Sequence, residues 1–111
     1  MDLRKLYEDF NARDIDAVLA AMTGDVEWPN AWEGGRLQGR DAVREYWTRQ
    51  WAAIDGRVVP ERIDERPDGR VAVDVRQTVR DLDGNLVSEG TVRHVYAFRD
   101  GLVSRMDVEA V

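Results

Sequence analysis

The chain has no cysteine, a single histidine and only three prolines in 111 residues. Without cysteine there is no disulfide framework, no zinc–thiolate or iron–sulfur centre and no thiol nucleophile. One imidazole supplies too few nitrogen ligands for a histidine-based zinc site, so neither a metal nor a cofactor is expected. No apolar run is long enough to span a membrane or to resemble a signal peptide, and the cytosol is the expected compartment. Basic side chains are in the minority, 16 against 22 acidic, for a net charge of −6. Nucleic acid is therefore not an expected partner, because phosphate binding needs a basic face. Linkers, repeats and low-complexity stretches are absent as well, so residues 1–111 read as one domain. A chain of this length buries roughly 65% of its unfolded surface, enough for a core without staples. Tryptophan is what the chain has in excess: four residues, all between positions 28 and 51.

The first half carries helical periodicity and the second half strand periodicity, the pattern of an α+β fold. Leu3, Leu6, Tyr7 and Phe10 form one apolar stripe at i, i+3, i+4 and i+7. Asp14 is placed to cap a second helix with Ile15, Val18, Leu19 and Met22 inward, ended by Thr23-Gly24. Val26 to Trp28 reads as a short strand stopped by Pro29, and residues 29–39 as a loop. A third helix follows, with Asp41 and Glu45 near its positive end and Gly56 as its stop. From Val58 the period becomes two. Val71, Val73, Val75, Gln77 and Val79 share one strand face; Leu86, Val92, His94, Tyr96 and Phe98 share the next; Leu102, Ser104, Met106 and Val108 share the last. Pro67-Asp68-Gly69, Asp83-Gly84 and Asp100-Gly101 separate these runs, and Asp and Gly tolerate the positive φ of tight turns. Three hairpins then join four strands into an antiparallel meander, with helices covering one face.

Three segments and the closing strand resemble a known family. Tyr7-Glu8-Asp9-Phe10-Asn11-Ala12-Arg13-Asp14-Ile15-Asp16, Asp25-Val26-Glu27-Trp28-Pro29, Gly39-Arg40-Asp41-Ala42-Val43-Arg44-Glu45-Tyr46-Trp47 and Val95-Tyr96-Ala97-Phe98-Arg99-Asp100-Gly101-Leu102-Val103 resemble the SnoaL-like branch of the nuclear transport factor 2-like superfamily. The resemblance implies a cone-shaped α+β barrel: three N-terminal helices on a strongly curved, mainly antiparallel sheet, with a pocket between them. It implies a homodimer through the outer sheet face. Relatives include steroid Δ-isomerases, polyketide cyclases, dehydratases, epoxide hydrolases and proteins without catalysis, so the fold alone does not fix the function. Anchored on Asn11-Ala12 and Asp14, the isomerase tyrosine falls at Leu6, its base near Asn30 and its protonated aspartate at His94. Leucine cannot donate a proton and an amide cannot abstract one, so steroid isomerisation by that mechanism is not expected.

His94 shares its face with Val92, Tyr96 and Phe98, and unperturbed imidazole titrates near neutrality. It reads as a catalytic acid or base, or as a structural histidine bonded to a neighbour. Gln77 interrupts a run of valines, which suits a pocket wall or the point where the strand emerges into solvent. Trp28 and Trp32 are expected at the pocket mouth, since aromatic walls with a few polar groups suit a small molecule. Trp47 and Trp51, four apart on one helix, read as core, with Trp51 also a candidate for substrate contact. Asn30, Tyr96 and Met106 complete the expected binding set. Glu27 and Glu33 read as solvated, or as a carboxylate base if buried. Asp74 and Arg76 point to the opposite sheet face and are expected to pair across a dimer, and Asp107 is expected to be exposed or at a dimer edge. The expected function is a cofactor-independent isomerase, cyclase or hydratase moving a proton on a small apolar or polycyclic substrate. The alternatives are a binding module for a hydrophobic metabolite, or a dimerisation domain with a vestigial pocket.

Overall fold

A computed structural model describes residues 1–111. Helix α1 spans Leu3–Asn11, started by Asp2, whose carboxylate accepts from the Lys5 amide at 3.1 Å. Its stripe buries Leu3, Leu6 and Tyr7. Arg13 turns the chain in the left-handed region (φ 62°), and the Asp14 carboxylate caps α2, Ile15–Ala20, through the Ala17 amide. The second helix ends sooner than its apolar spacing predicts. Met22 opens strand β1, Met22–Pro29, because the Ala21 carbonyl accepts from the Val103 amide at 2.9 Å and draws the chain into the sheet. Within the expected loop, β2, Arg36–Gln38, pairs back on β1.

Helix α3, Arg40–Ala53, runs directly into β3, Ile54–Glu65. Gly56 is thus a strand residue opposite Val79, and the helix stops at Ile54, which is already extended (φ −142°, ψ 161°). Strands β4 (Val71–Asp81), β5 (Leu86–Arg99) and β6 (Leu102–Ala110) follow, each reversal falling on one of the three turn signals. The strand order is β2-β1-β6-β5-β4-β3, antiparallel throughout except for β1 beside β6. The sheet curls into a cone without closing, and the three helices cover its inner face.

One parity expectation fails. Tyr96 opposes Met106 and Ala97 opposes Arg105, but Phe98 opposes Val103, so Ser104 is an extra residue in β6. This bulge reverses the alternation. Val103 is fully buried, while Leu102 and Ser104 are only half-buried.

Edge strand β3 is tied down from outside the sheet. The Asn11 side chain donates to the Val58 carbonyl (2.7 Å) and accepts from its amide (3.0 Å), satisfying both backbone groups that face away from β4. Pro60, which has no amide to donate, lies on the same edge beside a register shift. On the outer sheet face, Asp74 and Arg76, expected to pair across a dimer, pair within the chain, and so do their charged neighbours. Asp74 accepts from Arg93 (2.8 Å), Glu89 from Arg76, and both Asp107 (2.9 Å) and Glu27 (2.6 Å) from Arg105. Glu27 is therefore an ion-pair partner on the outer face and not a base in the pocket.

Candidate functional site

Between α1, α3 and the inner face of β4–β6 lies a cavity of about 140 Å³. Its walls are mostly apolar and aromatic. In the middle of this surface sit three hydrogen-bonded polar groups. The Tyr7 hydroxyl is 2.9 Å from His94 Nδ1 and 2.7 Å from the Tyr96 hydroxyl. The Tyr7 and His94 rings stack at 6.0 Å, and Tyr96 meets Tyr7 edge-on.

Local structure explains this convergence. His94 and Tyr96 are two apart on β5 and so share its inner face. Cross-strand neighbours Val73 and Val108 flank His94, and Val71 and Met106 flank Tyr96. None of these can compete for a hydrogen bond, so both polar groups look to α1. There Tyr7, one helical turn beyond Leu3, is the residue whose side chain arrives.

Burial sets the charge state. His94 is only 6% exposed, and desolvation pushes its pKa down from 6.5 to about 4. Desolvation likewise raises the Tyr7 and Tyr96 phenols well above their ordinary values. All three groups are therefore neutral at pH 7. Two proton arrangements satisfy the geometry. In one, Tyr7 donates to Nδ1 and Tyr96 donates to Tyr7, leaving Nε2–H as a donor. In the other, Nδ1–H donates to Tyr7 and Tyr7 to Tyr96, leaving a basic Nε2 and a free Tyr96 hydroxyl proton. Nε2 has no partner within the chain in either case.

The aromatic walls are arranged differently from the expectation drawn from position. Trp28 packs edge-on against Trp47 (5.4 Å) and tilted on Tyr96 (6.3 Å), and both tryptophans line the cavity. His94, Tyr96, Gln77 and Met106 also line it. Three expected residues do not. The Asn30 side-chain oxygen accepts from the Trp32 (3.2 Å) and Glu33 (3.0 Å) amides, so it holds its own loop. Trp32 is 46% exposed and rests on Tyr46 from outside. Trp51 lies beyond Trp47, against Phe10 and under the Arg13 guanidinium (5.0 Å). Glu33 is at the surface beside Arg49 (3.3 Å).

Tyr7, next to Leu6 on α1, was not among the expected site residues. A hydroxyl on an otherwise apolar stripe of Leu3, Leu6 and Phe10 was the available signal. Tyr46 and Gln50 were missed as lining residues: the Tyr46 hydroxyl accepts from the Ala31 amide (3.2 Å), and Gln50 Nε2 lies 3.4 Å from it. Nowhere do three His, Asp or Glu side chains converge as a metal site would require, and no helix is long and apolar enough to cross a membrane.

Solved structures of similar fold were found over nearly the whole chain. TerC, co-crystallised with polyporic acid, is 27% identical with a TM-score of 0.82, covering 96% of this chain and 85% of that one. An NTF2-like protein of unknown function from Burkholderia pseudomallei is 26% identical with a TM-score of 0.84, covering 98% and 87%. A protein from Xanthomonas campestris, described as a polyketide cyclase, is 23% identical with a TM-score of 0.80 over 93% and 82%, a likeness of fold. A search of curated proteins found no match. The family model of the SnoaL-like domain matches residues 3–106, and with the three helices, the curled sheet and the cavity between them it shows that the chain belongs to the SnoaL-like family.

Proposed function

We propose that the chain is a cofactor-independent enzyme that moves a proton on a small apolar carbonyl compound. The observation that carries this is the Tyr7 hydroxyl bridging His94 Nδ1 and the Tyr96 hydroxyl inside an apolar cavity. In the arrangement with Nε2 unprotonated, the imidazole takes a proton from the carbon next to a carbonyl. The Tyr96 hydroxyl donates to the carbonyl oxygen, where negative charge develops, and Tyr7 relays the hydrogen-bond chain between them. Returning that proton to another carbon or to oxygen completes an isomerisation, with no net gain or loss of atoms. A water-poor wall strengthens these contacts. The cavity volume narrows the substrate: an apolar cavity of about 150 Å³ holds one benzene ring, so one ring or flat end enters here and a polycyclic body would extend through the mouth. Co-crystallisation of TerC with polyporic acid supports a small organic ligand.

The depressed pKa of His94 favours a second reading. An imidazole titrating at about 4 is a weak base, which suits a carrier or sensor holding a ligand oxygen without turnover. Acetophenone in deuterated buffer separates the two. Exchange of its methyl protons faster than in buffer, and lost in His94→Gln and Tyr96→Phe, is the expected result for the enzyme. Binding without exchange leaves the carrier, and absence of both removes the pocket reading. A homodimer through the outer sheet face, where Val59 is exposed, remains part of the proposal; light scattering at the mass of one chain would remove it.

A further inference from the structure

Gln77 lines the cavity on the inner face of β4, and its side-chain carboxamide makes no hydrogen bond within the chain. Its cross-strand neighbour on β5 is Gly90, and directly opposed residues point to the same face. On the β5 side the inner face is therefore bare beside this carboxamide, while Val58 of β3 stands on its other side. Backbone geometry does not demand glycine there, because Gly90 is not among the positive-φ glycines. Nor does crowding, since a Cβ at Gly90 would meet nothing within 4 Å. A strand glycine with neither cause serves either a bend of the strand or the close approach of another group to the backbone, and the open space beside Gln77 fits the second.

Register fixes the distance from the inner polar cluster. Val73 opposes His94, Val75 opposes Val92 and Gln77 opposes Gly90. Four residues along a strand separate the two rows by about 13 Å. One ring does not span that length, whereas two linked rings with an oxygen at each end do.

On the reading of the cavity as a small-molecule site, we infer that Gln77 and Gly90 form an outer subsite selecting elongated two-ring ligands with an oxygen at each end. The inner oxygen bonds to Tyr96 or His94 and the outer oxygen to the Gln77 carboxamide. The second ring lies over Gly90, where a side chain would otherwise stand.

Three probes test the subsite by equilibrium dialysis: phenol, para-hydroxybiphenyl, and biphenyl with a hydroxyl at both para positions. The wild-type protein binds the dihydroxybiphenyl about three- to tenfold more tightly than the monohydroxybiphenyl, the difference one net hydrogen bond makes. Gln77→Val, which continues the valine face, brings that ratio to near one; Gln77→Thr is the second variant if the first fails to fold. Gly90→Val weakens both biphenyls relative to phenol. No preference in the wild type, a preference that survives both Gln77 variants, or biphenyl-to-phenol ratios unmoved by Gly90→Val would each overturn the inference while leaving the cavity reading in place. Failure of all three probes to bind the wild type overturns the cavity reading itself.

Discussion

Acidification should unfold this protein through His94 before it does so through the carboxylates. The folded-state pKa is about 4 and the ordinary value 6.5. Between these values the unfolded chain binds a proton that the folded chain refuses, so stability is complete above pH 6.5 and falls as the pH drops towards 4. Each pKa unit is worth about 1.4 kcal/mol, so the full loss is about 3 kcal/mol. Small domains have only about 5–15 kcal/mol in total, which makes this a large fraction. Carboxylates held low by arginine partners, such as Asp74 and Asp107, also release stability on acidification, but below their ordinary range near pH 4. The two windows are therefore separable. Urea unfolding of the wild type at intervals from pH 7 to pH 4.5, beside the same series for His94→Gln, isolates the imidazole. The wild type should lose about 2 kcal/mol more than the variant across that range. With a single histidine in the chain, one imidazole resonance followed by NMR gives the folded-state pKa directly. Parallel loss in both proteins, or a resonance titrating near 6.5, would refute the argument that burial keeps His94 neutral.

Two further perturbations probe the same framework. Tyr7→Phe removes both hydrogen bonds of the bridge, at a cost of about 2 kcal/mol or a melting temperature about 10 °C lower. Burial persists in that variant, so His94 should still titrate near 4; a return towards 6.5 would mean the Tyr7 contact, not desolvation, sets the pKa. Asn11→Ala frees both backbone groups of Val58 on the sheet edge and should cost about 2 kcal/mol by urea unfolding, with a smaller loss in Asn11→Asp, which keeps the acceptor.

Element type and turn positions were legible because they depend on neighbours in sequence. The 3.6-residue stripe of Leu3, Leu6 and Tyr7, the Asp14 cap and the Asp-Gly reversals need no distant partner to form. Alternation along β4 and β5 placed Gln77, His94 and Tyr96 on the inner face for the same reason. Where the expectation failed, a partner remote in sequence intervened. Capture of Ala21 by Val103 ended α2 early, and an extra residue at Ser104 turned Val103 inward.

The tryptophans divide along the same line. Their clustering between positions 28 and 51 is a property of the sequence, but which of them face the cavity depends on how β1 and α3 cross. Trp28 and Trp47 meet edge-on at its wall, while Trp32 is carried outward on a loop that Asn30 holds. The lone histidine was marked by strand parity and by the isomerase position that the family resemblance assigns to it. Its pairing with Tyr7, 87 positions away, exists only because α1 is laid across β5, and burial at that crossing removes its charge. Sequence settled most of the elements and the faces of β4 and β5, because these follow from local geometry. The short strand β2, the end of α2 and the face of β6 around Ser104 did not follow from it, because each depends on a partner strand. Tertiary packing decided which polar groups meet and how they are ionised, because hydrogen bonding and desolvation depend on distance in space.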